Sequence, residues 1–315
     1  MKVCVFFLGN PVVELLINYV MELKVNNTEG CDYSHLKPQR RYPVVLSIAG
    51  SDSSGGAGIQ ADLKTFSALG VYGATAITAI TAQNTRGVHS QLAIVPEMVY
   101  QQIVAVVDDI KPSAIKIGML SNAEIADVVA EALASCDVPI ILDPVMVSSS
   151  GHRLLSVEAQ EVVKRRLLPM AALITPNIPE MEALTAMPLS TLEQKHAAAR
   201  HLIELGAQAI LLKGGHAEGD TKTDILYRRM GYGVDTTYLS TPTIVTRNIH
   251  GTGCTLSSAI AAYMARGMAL DVAVKCAKSY ISEAIAAGAD IEIGGGFGPV
   301  NHLFNPQKMQ VYEQR

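Results

Sequence analysis

From Pro43 onward, short apolar runs alternate with amphipathic stretches. Val44–Ala49, Ala74–Ala82, Ala114–Ile117, Val138–Leu142, Ala171–Thr175 and Ala209–Lys213 read as strands buried on both faces. Between the first two, Ile59, Leu63, Phe66 and Leu69 recur at helical spacing, and Gly70 closes the segment. A second helix is predicted over 96–110, opening on a proline and carrying Val99, Ile103, Val106, Val107 and Ile110 on one side. Further helices are expected over 123–135, 157–167, 191–205, 255–266 and 271–287, with less regular β segments at Asp224–Arg228, Thr237–Leu239 and Thr243–Thr246. Strands separated by helices imply βαβ units and a mostly parallel sheet, hence an α/β fold. Neither an internal repeat nor a second composition zone interrupts the pattern, so residues 43–315 are expected to form one domain.

Residues 1–42 depart from this pattern. The stretch over 3–23 is apolar, but Asn10-Pro11 breaks it early, and Glu14 and Asn18 punctuate the remainder. A spanning helix needs about 20 apolar residues, and no small-residue cleavage site is evident. The segment reads as an accessory extension, or as a start assigned upstream of an internal Met21, followed by a polar linker over 24–42.

Composition narrows the chemistry. A net charge of −4, with no long Lys/Arg run, disfavours nucleic acid or an anionic membrane as partner. Tryptophan is absent and other aromatics are few, which leaves little for base stacking. The five cysteines are scattered without a C-x-x-C pair, arguing against a zinc site or disulfide framework and for a reducing, cytoplasmic setting.

In open α/β sheets ligands bind beyond the carboxyl ends of the strands, so loops that follow strands are the informative ones. The first runs from Gly50 to Gly58, with glycines at 55, 56 and 58 that let the main chain approach a ligand at a helix N-terminus. It fits neither a dinucleotide fingerprint nor a Walker A loop; a flexible turn is the plainer alternative. The second, His250-Gly-Thr-Gly-Cys-Thr255, precedes an alanine-rich helix. Its Gly251, Thr252, Gly253 and Cys254 would present successive amides to the charge on a transferring phosphoryl group, and the helix terminus would favour a Cys254 thiolate. A buried structural cysteine beside a tight turn is the alternative there. Asp143 closes an apolar run; Asn177 and Glu180 have the spacing of a capping pair; Lys213 ends a strand before Gly-Gly-His. Magnesium takes one or two carboxylates together with phosphate oxygens, so this rim carries what an ATP-dependent transferase needs. His216 and His250 read as structural or solvated.

Taken in order, AGSDSSGGAGIQADLKTFSALG, TAQNTRGV, KIGML, LDPVM, LITPNIPE, KGGH, HGTGCT and a closing GFGPV resemble the hydroxymethylpyrimidine/phosphomethylpyrimidine kinases of the ribokinase-like superfamily, from about residue 44 to 300. The resemblance implies a three-layer sandwich, a central mostly parallel sheet flanked by helices. It also implies a cytoplasmic homodimer that uses ATP and Mg²⁺ to phosphorylate a pyrimidine alcohol, and then its monophosphate, in thiamine biosynthesis. On this resemblance Gln83 hydrogen-bonds the aminopyrimidine edge, and Gly50, Asp62 and Met119 help line the pocket. A carboxamide matches a ring nitrogen beside an exocyclic amine, and a methionine makes an adaptable apolar wall. Asp62 has a second reading as a charge favouring its helix start. Gly251 and Gly253 belong to the anion hole, with Cys254 as candidate base where many sugar kinases of the superfamily carry Asp. Lys213, Asn177 and Thr252 fall on the phosphate side, and Asp143 and Glu180 on the metal side. Asp52-Ser53-Ser54 departs from the family's Asp-Pro-Ser, which loosens the turn. The rival readings are a pyridoxine/pyridoxal kinase, a non-catalytic pyrimidine sensor, and a dehydrogenase that the missing fingerprint disfavours.

Overall fold

The computed structural model describes residues 40–146, 154–214, 219–231 and 233–313. Contacts divide the chain into residues 42–312, treated below, and a second unit of residues 1–41 and 313–315, in which Arg40 and Arg41 are extended and exposed. The reading of residues 1–39 and of His216 lies outside the described residues.

The elements follow the apolar pattern. In chain order they are β1 (Val44–Asp52), α1 (Gly58–Ala68), β2 (Tyr72–Asn84), β3 (Gly87–Ala93), α2 (Pro96–Asp109), β4 (Ala114–Ile117), α3 (Ala123–Ala132), β5 (Ile140–Leu142), α4 (Val157–Val162), β6 (Leu173–Ile174), α5 (Ile178–Thr185), α6 (Leu192–Glu204), β7 (Ala209–Leu212), β8 (Thr221–Met230), β9 (Gly233–Pro242), α7 (Thr252–Ala265) and α8 (Leu270–Gly288). Their sheet order is β9-β8-β7-β6-β5-β4-β1-β2-β3. The run from β7 to β2 is parallel, whereas β3, β8 and β9 join antiparallel at the two margins. The chain leaves β1 for β2 on one side and later returns to β4 on the other, so β1 marks the switch point where ligand clefts open.

Period-two geometry explains the three layers. In successive strands Leu46 and Ile48, Ile115 and Ile117, Ile140 and Leu142, and Ile210 and Leu212 join a core shared with α2 to α6. Their neighbours Val45, Ala114, Ile141 and Leu211 join a second core with α1, α7 and α8. Two positions on that second face are polar: Ser47 and Lys116, which pair in register across β1 and β4. Both are fully buried. Lys116 Nζ contacts both carboxylate oxygens of Asp62 on α1 at 2.9 Å, and Ser47 and Ser258 each donate to that carboxylate at 2.6 Å. The cluster ties two strands to two helices inside an otherwise apolar layer.

The antiparallel margins are the main departures from the sequence reading. β3 was not anticipated, because its half-exposed residues lack an apolar run. β8 and β9 form one ten-residue-by-ten-residue hairpin where shorter segments were expected, and residues 243–246 lie outside any strand. α5 was expected only as a cap. An edge hairpin is held by ladder bonds and needs little buried surface, so it leaves a weak hydrophobic signal.

Removing one partner of a fully buried ion pair strands the other without solvent. Asp62→Ala should therefore lower the unfolding free energy by about 3–5 kcal/mol, read from urea titration. A loss below about 1 kcal/mol would show that Lys116 does not depend on this carboxylate.

Candidate active site

The loops that follow β1, β4, β5, β6 and β7 open with the start of α7 onto one cavity of about 700 Å³, within the range of small-ligand sites. Gly50, Gln83 and Met119 line it, as do Asp143, Asn177, Glu180 and Lys213, and Gly251 to Cys254. Gly50 occupies the irregularity where β1 slips against β2, and its α-carbon hydrogen faces Met119; a side chain there would press on the Met119 sulfur at 3.0 Å.

Asp62 requires a correction. Its carboxylate is saturated by Lys116, Ser47 and Ser258 beneath the cavity floor, and it is not among the lining residues. Nor does it sit in the first turn of α1, so the helix-start reading fails as well. Its partner Lys116 does reach the cavity. Burial works against the Lys116 charge, but Asp62, Cys254 and Asp143 more than offset it and hold the ammonium protonated.

The first glycine loop also behaves differently from expectation. Its amides turn inward onto Asp52: Ser54 N donates to Oδ1 at 2.8 Å, and Gly56 N and Ala57 N donate to Oδ2 at 3.1 and 2.8 Å. His250 Nε2 lies 2.8 Å from the same Oδ2. Burial alone would raise the Asp52 carboxyl; the hydrogen bonds from His250, Ser54 and Ala57 win and hold it down at about 2. His250, read from sequence as structural or solvated, takes the structural role: it is buried, lines the cavity, and bonds a residue 198 positions away.

At the second loop, Gly251 caps α7 with φ +78°, and a Cβ there would collide with the carbonyl oxygen of Gly56. Only glycine meets both demands. No side chain caps the helix. The Thr252 amide turns back to Ile249 O at 3.2 Å, so it is not free in the way a row of four successive amides would require. A methyl group at Gly253 would stand 3.4 Å from Lys213 Nζ and 3.8 Å from Asp143 Oδ2, which places these charges against the helix start.

Lys213 Nζ bonds Asp143 Oδ1 at 2.8 Å and lies 3.8 Å from Glu180 Oε2. Asp143 also accepts from Thr175 at 3.0 Å and Ser257 at 3.2 Å. Burial opposes each charge. Asp143 is nonetheless held below the usual carboxylate range by Lys213 and Lys116, and Lys213 is held protonated by Asp143 and Glu180. Glu180 is pushed up, by burial first and by the Asp143 charge as well. Asn177 and Glu180 form the capping box on α5 that their spacing predicted: Asn177 Oδ1 accepts Glu180 N at 2.9 Å, and Glu180 Oε2 accepts Asn177 N at 2.8 Å. Among the described residues no group of three His, Cys, Asp or Glu holds a metal alone.

Cys254 departs from the thiolate expectation. Burial pushes the thiol up to about 11; Lys116 pulls the other way, but Asp62 and Asp143 reinforce the rise. The positive helix end is outweighed.

Two further charges in the wall were not singled out from sequence. Lys278 Nζ bonds Asp224 Oδ2 at 2.7 Å, and Asp224 Oδ1 accepts the Gly214 amide at 2.8 Å. They come from the hairpin and the last helix, where no motif flags them. Lys116 did carry a signal, a charge within the apolar run Ala114–Ile117.

Comparison with known proteins sets this geometry in context. The family model for phosphomethylpyrimidine kinase matches residues 52–301. A hydroxymethylpyrimidine/phosphomethylpyrimidine kinase of Streptomyces coelicolor is 47% identical over 260 residues, 82% of this chain and 94% of that protein. A chloroplastic thiamine biosynthetic bifunctional enzyme of Arabidopsis thaliana is 43% identical over 85% of this chain and 52% of its own length. Among solved structures, the phosphomethylpyrimidine kinase of Clostridium difficile is 44% identical with a TM-score of 0.67, covering 77% of this chain and 99% of its own. An ADP complex of Bacillus subtilis pyridoxal kinase is 35% identical with a TM-score of 0.75, covering 83% and 98%.

The Asp52 environment gives a pH-dependent expectation. Its folded-state value lies below the ordinary 3.8, so folding favours the carboxylate. The resulting stability, about 2 kcal/mol, is complete above about pH 4 and is lost as pH falls towards about 2. Asp52→Asn should be less stable than wild type by about that amount near pH 7, with the gap narrowing near pH 3, as followed by urea titration. A gap equal at both pH values would contradict the charge-based origin.

Proposed function

The chain belongs to the phosphomethylpyrimidine kinase family, and on that premise we propose that its cavity is divided into an alcohol end at Gln83 and Met119 and a phosphate end at the start of α7. The protein is an ATP-dependent phosphotransferase of thiamine biosynthesis, acting on hydroxymethylpyrimidine and phosphomethylpyrimidine. Its three-layer, mostly parallel α/β fold is the ribokinase-like one. The observation that carries the division is that one cavity joins Gln83 and Met119 to the uncapped amides of Gly253 and Cys254 and to Lys213.

In this reading the hydroxymethyl oxygen attacks the terminal phosphorus of ATP in line, and the bond to the leaving ADP oxygen breaks as the new one forms. Loose phosphoryl transfer needs chiefly positioning and charge stabilisation. The Gly253 and Cys254 amides receive the equatorial oxygens, and Lys213 offsets phosphate charge on the side shared with Asn177 and Thr252. Ile244, Leu256, Ile281 and Ile285 form an apolar wall suited to the nucleotide base. The donor set fits Mg²⁺: Asp143 and Glu180 supply two carboxylates on one wall of the cavity, 2.8 and 3.8 Å from the Lys213 ammonium. When bound there with phosphate oxygens and water, the ion would neutralise charge on the phosphates. Cys254 accepts the alcohol proton in its thiolate form, a small fraction near neutral pH given a thiol at about 11.

The resemblance extends the reading to a cytoplasmic homodimer; among the described residues no helix is long and apolar enough to cross a membrane. A second reading, pyridoxal kinase, is favoured by the likeness to the Bacillus subtilis enzyme.

Cys254→Ala should lower kcat by about 10²–10⁴-fold with the pyrimidine KM largely kept. Since the thiol lies well above neutrality, kcat/KM of the wild type should rise with pH through the alkaline range, and the variant should lose that slope. A wild-type profile flat above neutrality would remove the sulfur as proton acceptor. Mass spectrometry after incubation with ATP, Mg²⁺ and the free pyrimidine should reveal the pyrophosphate; accumulation of monophosphate alone would exclude the second transfer. In the same assay, a kcat/KM favouring pyridoxal would replace the pyrimidine reading with the second one.

A further inference from the structure

The strongest unassigned feature of the cavity is a hydrogen-bond conflict around Gln83. Its amide nitrogen lies 3.3 Å from His250 Nε2, and its carbonyl oxygen lies 3.2 Å from Thr81 Oγ1. Asp52 carries an acceptor-only carboxylate, and its Oδ2 lies 2.8 Å from the same His250 Nε2. That nitrogen must therefore bear a proton, whether the ring is neutral or charged. A protonated Nε2 facing an amide nitrogen places two donors together. The other end of the amide is equally mismatched. Thr81 Oγ1 has one proton, yet both Ser51 O at 2.9 Å and the Gln83 carbonyl oxygen at 3.2 Å require it as donor.

A half-turn of the carboxamide resolves both conflicts at once. Oxygen and nitrogen of a side-chain amide are assigned by the bonds they make. With the oxygen towards His250, Nε2–H is shared between Asp52 and Gln83. With the nitrogen towards Thr81, the hydroxyl accepts from Gln83 and keeps its proton for Ser51 O. Each donor then meets an acceptor along Asp52, His250, Gln83, Thr81 and Ser51. The persistence of the Asp52 charge, held by Ser54, Gly56 and Ala57 as well as by His250, keeps the direction of the chain fixed.

We infer that His250 and Thr81 are positioning residues that lock the Gln83 carboxamide in one orientation and thereby set which ring edge the kinase accepts. After both anchors are satisfied, the carboxamide retains one oxygen lone pair and one N–H for a ligand, in fixed order. The carbonyl side accepts from an exocyclic amine and the N–H side donates to the adjacent ring nitrogen. An analogue with a carbonyl in place of the amine and a protonated ring nitrogen presents the reverse order. It can pair with Gln83 only if the amide turns back, which restores the clash with His250 and the competition at Thr81. The inference rests on the reading that Gln83 contacts the pyrimidine.

The test compares the amino substrate with its oxo analogue by ADP release in wild type, His250→Phe, Thr81→Val and Gln83→Leu. Wild type should favour the amino compound by about 100-fold or more in kcat/KM, because the wrong edge leaves buried polar groups unpaired. His250→Phe frees the amide to turn and should bring the ratio to within about tenfold, through a raised KM for the amine and a lowered one for the oxo compound. Thr81→Val should move the ratio in the same direction, and it decides the matter alone should the histidine variant fail to fold. A merely structural role for His250 would lower activity on both compounds and leave their ratio intact. If Gln83→Leu leaves the amine KM unchanged, the contact between Gln83 and substrate is refuted, and the inference falls with it. If Gln83→Leu weakens the amine while His250→Phe or a folded Thr81→Val keeps the wild-type ratio, the contact stands and the locking is overturned.

Discussion

The ion pair between Lys116 and Asp62 is the constraint on which the rest of the site is arranged. A fully buried ammonium is tolerated only where a carboxylate and further polar groups surround it, and here Ser47, Asp62 and Ser258 come from β1, α1 and α7. These elements carry or adjoin the loops that line the cavity. Satisfying Lys116 therefore fixes where the glycine loop leaves β1 and where α7 begins. The pair lies at and below the cavity floor and exerts its influence through position and field.

Above it, the site is a chain of compensated charges. Asp143 stands between Lys116 and Lys213, and Lys213 stands between Asp143 and Glu180. The cations are held protonated and Asp143 is held ionised, while Glu180 at the end of the chain is pushed up, by burial first. Burial explains why the Cys254 thiol rises despite a helix N-terminus: desolvation of the thiolate, reinforced by the Asp62 and Asp143 charges, outweighs the pull of Lys116. Each of these fixed charges thus has an opposite charge beside it.

Much of this architecture was legible in the chain. Parallel strands buried on both faces produce continuous apolar runs, so β1, β4 and β7 stood out, and Asn177 with Glu180 announced their capping box. The hairpin β8–β9 showed only as the shorter segments 224–228 and 237–239, and the edge strand β3 not at all, because half-exposed antiparallel strands carry no such run. Within the cavity, glycine loops and strand-end charges were visible as local motifs. The roles of Asp62 and His250 were not, since each depends on partners far away in sequence: Ser258 lies 196 residues from Asp62, and Asp52 lies 198 from His250. Nor does local sequence reveal that Asp52 draws the loop amides inward, which requires knowing that its carboxylate is enclosed.

The contact between Gly251 and Gly56 has a bearing on how such a site diversifies. With main chain packed directly on main chain, the spacing between the first glycine loop and the start of α7 is set without any side chain. Residues around the rim are then free to vary in size and polarity while the separation of the two loops stays constant. Transplanting either loop alone into a related scaffold would lose that gauge, because half of it resides in a segment encoded nearly two hundred positions away.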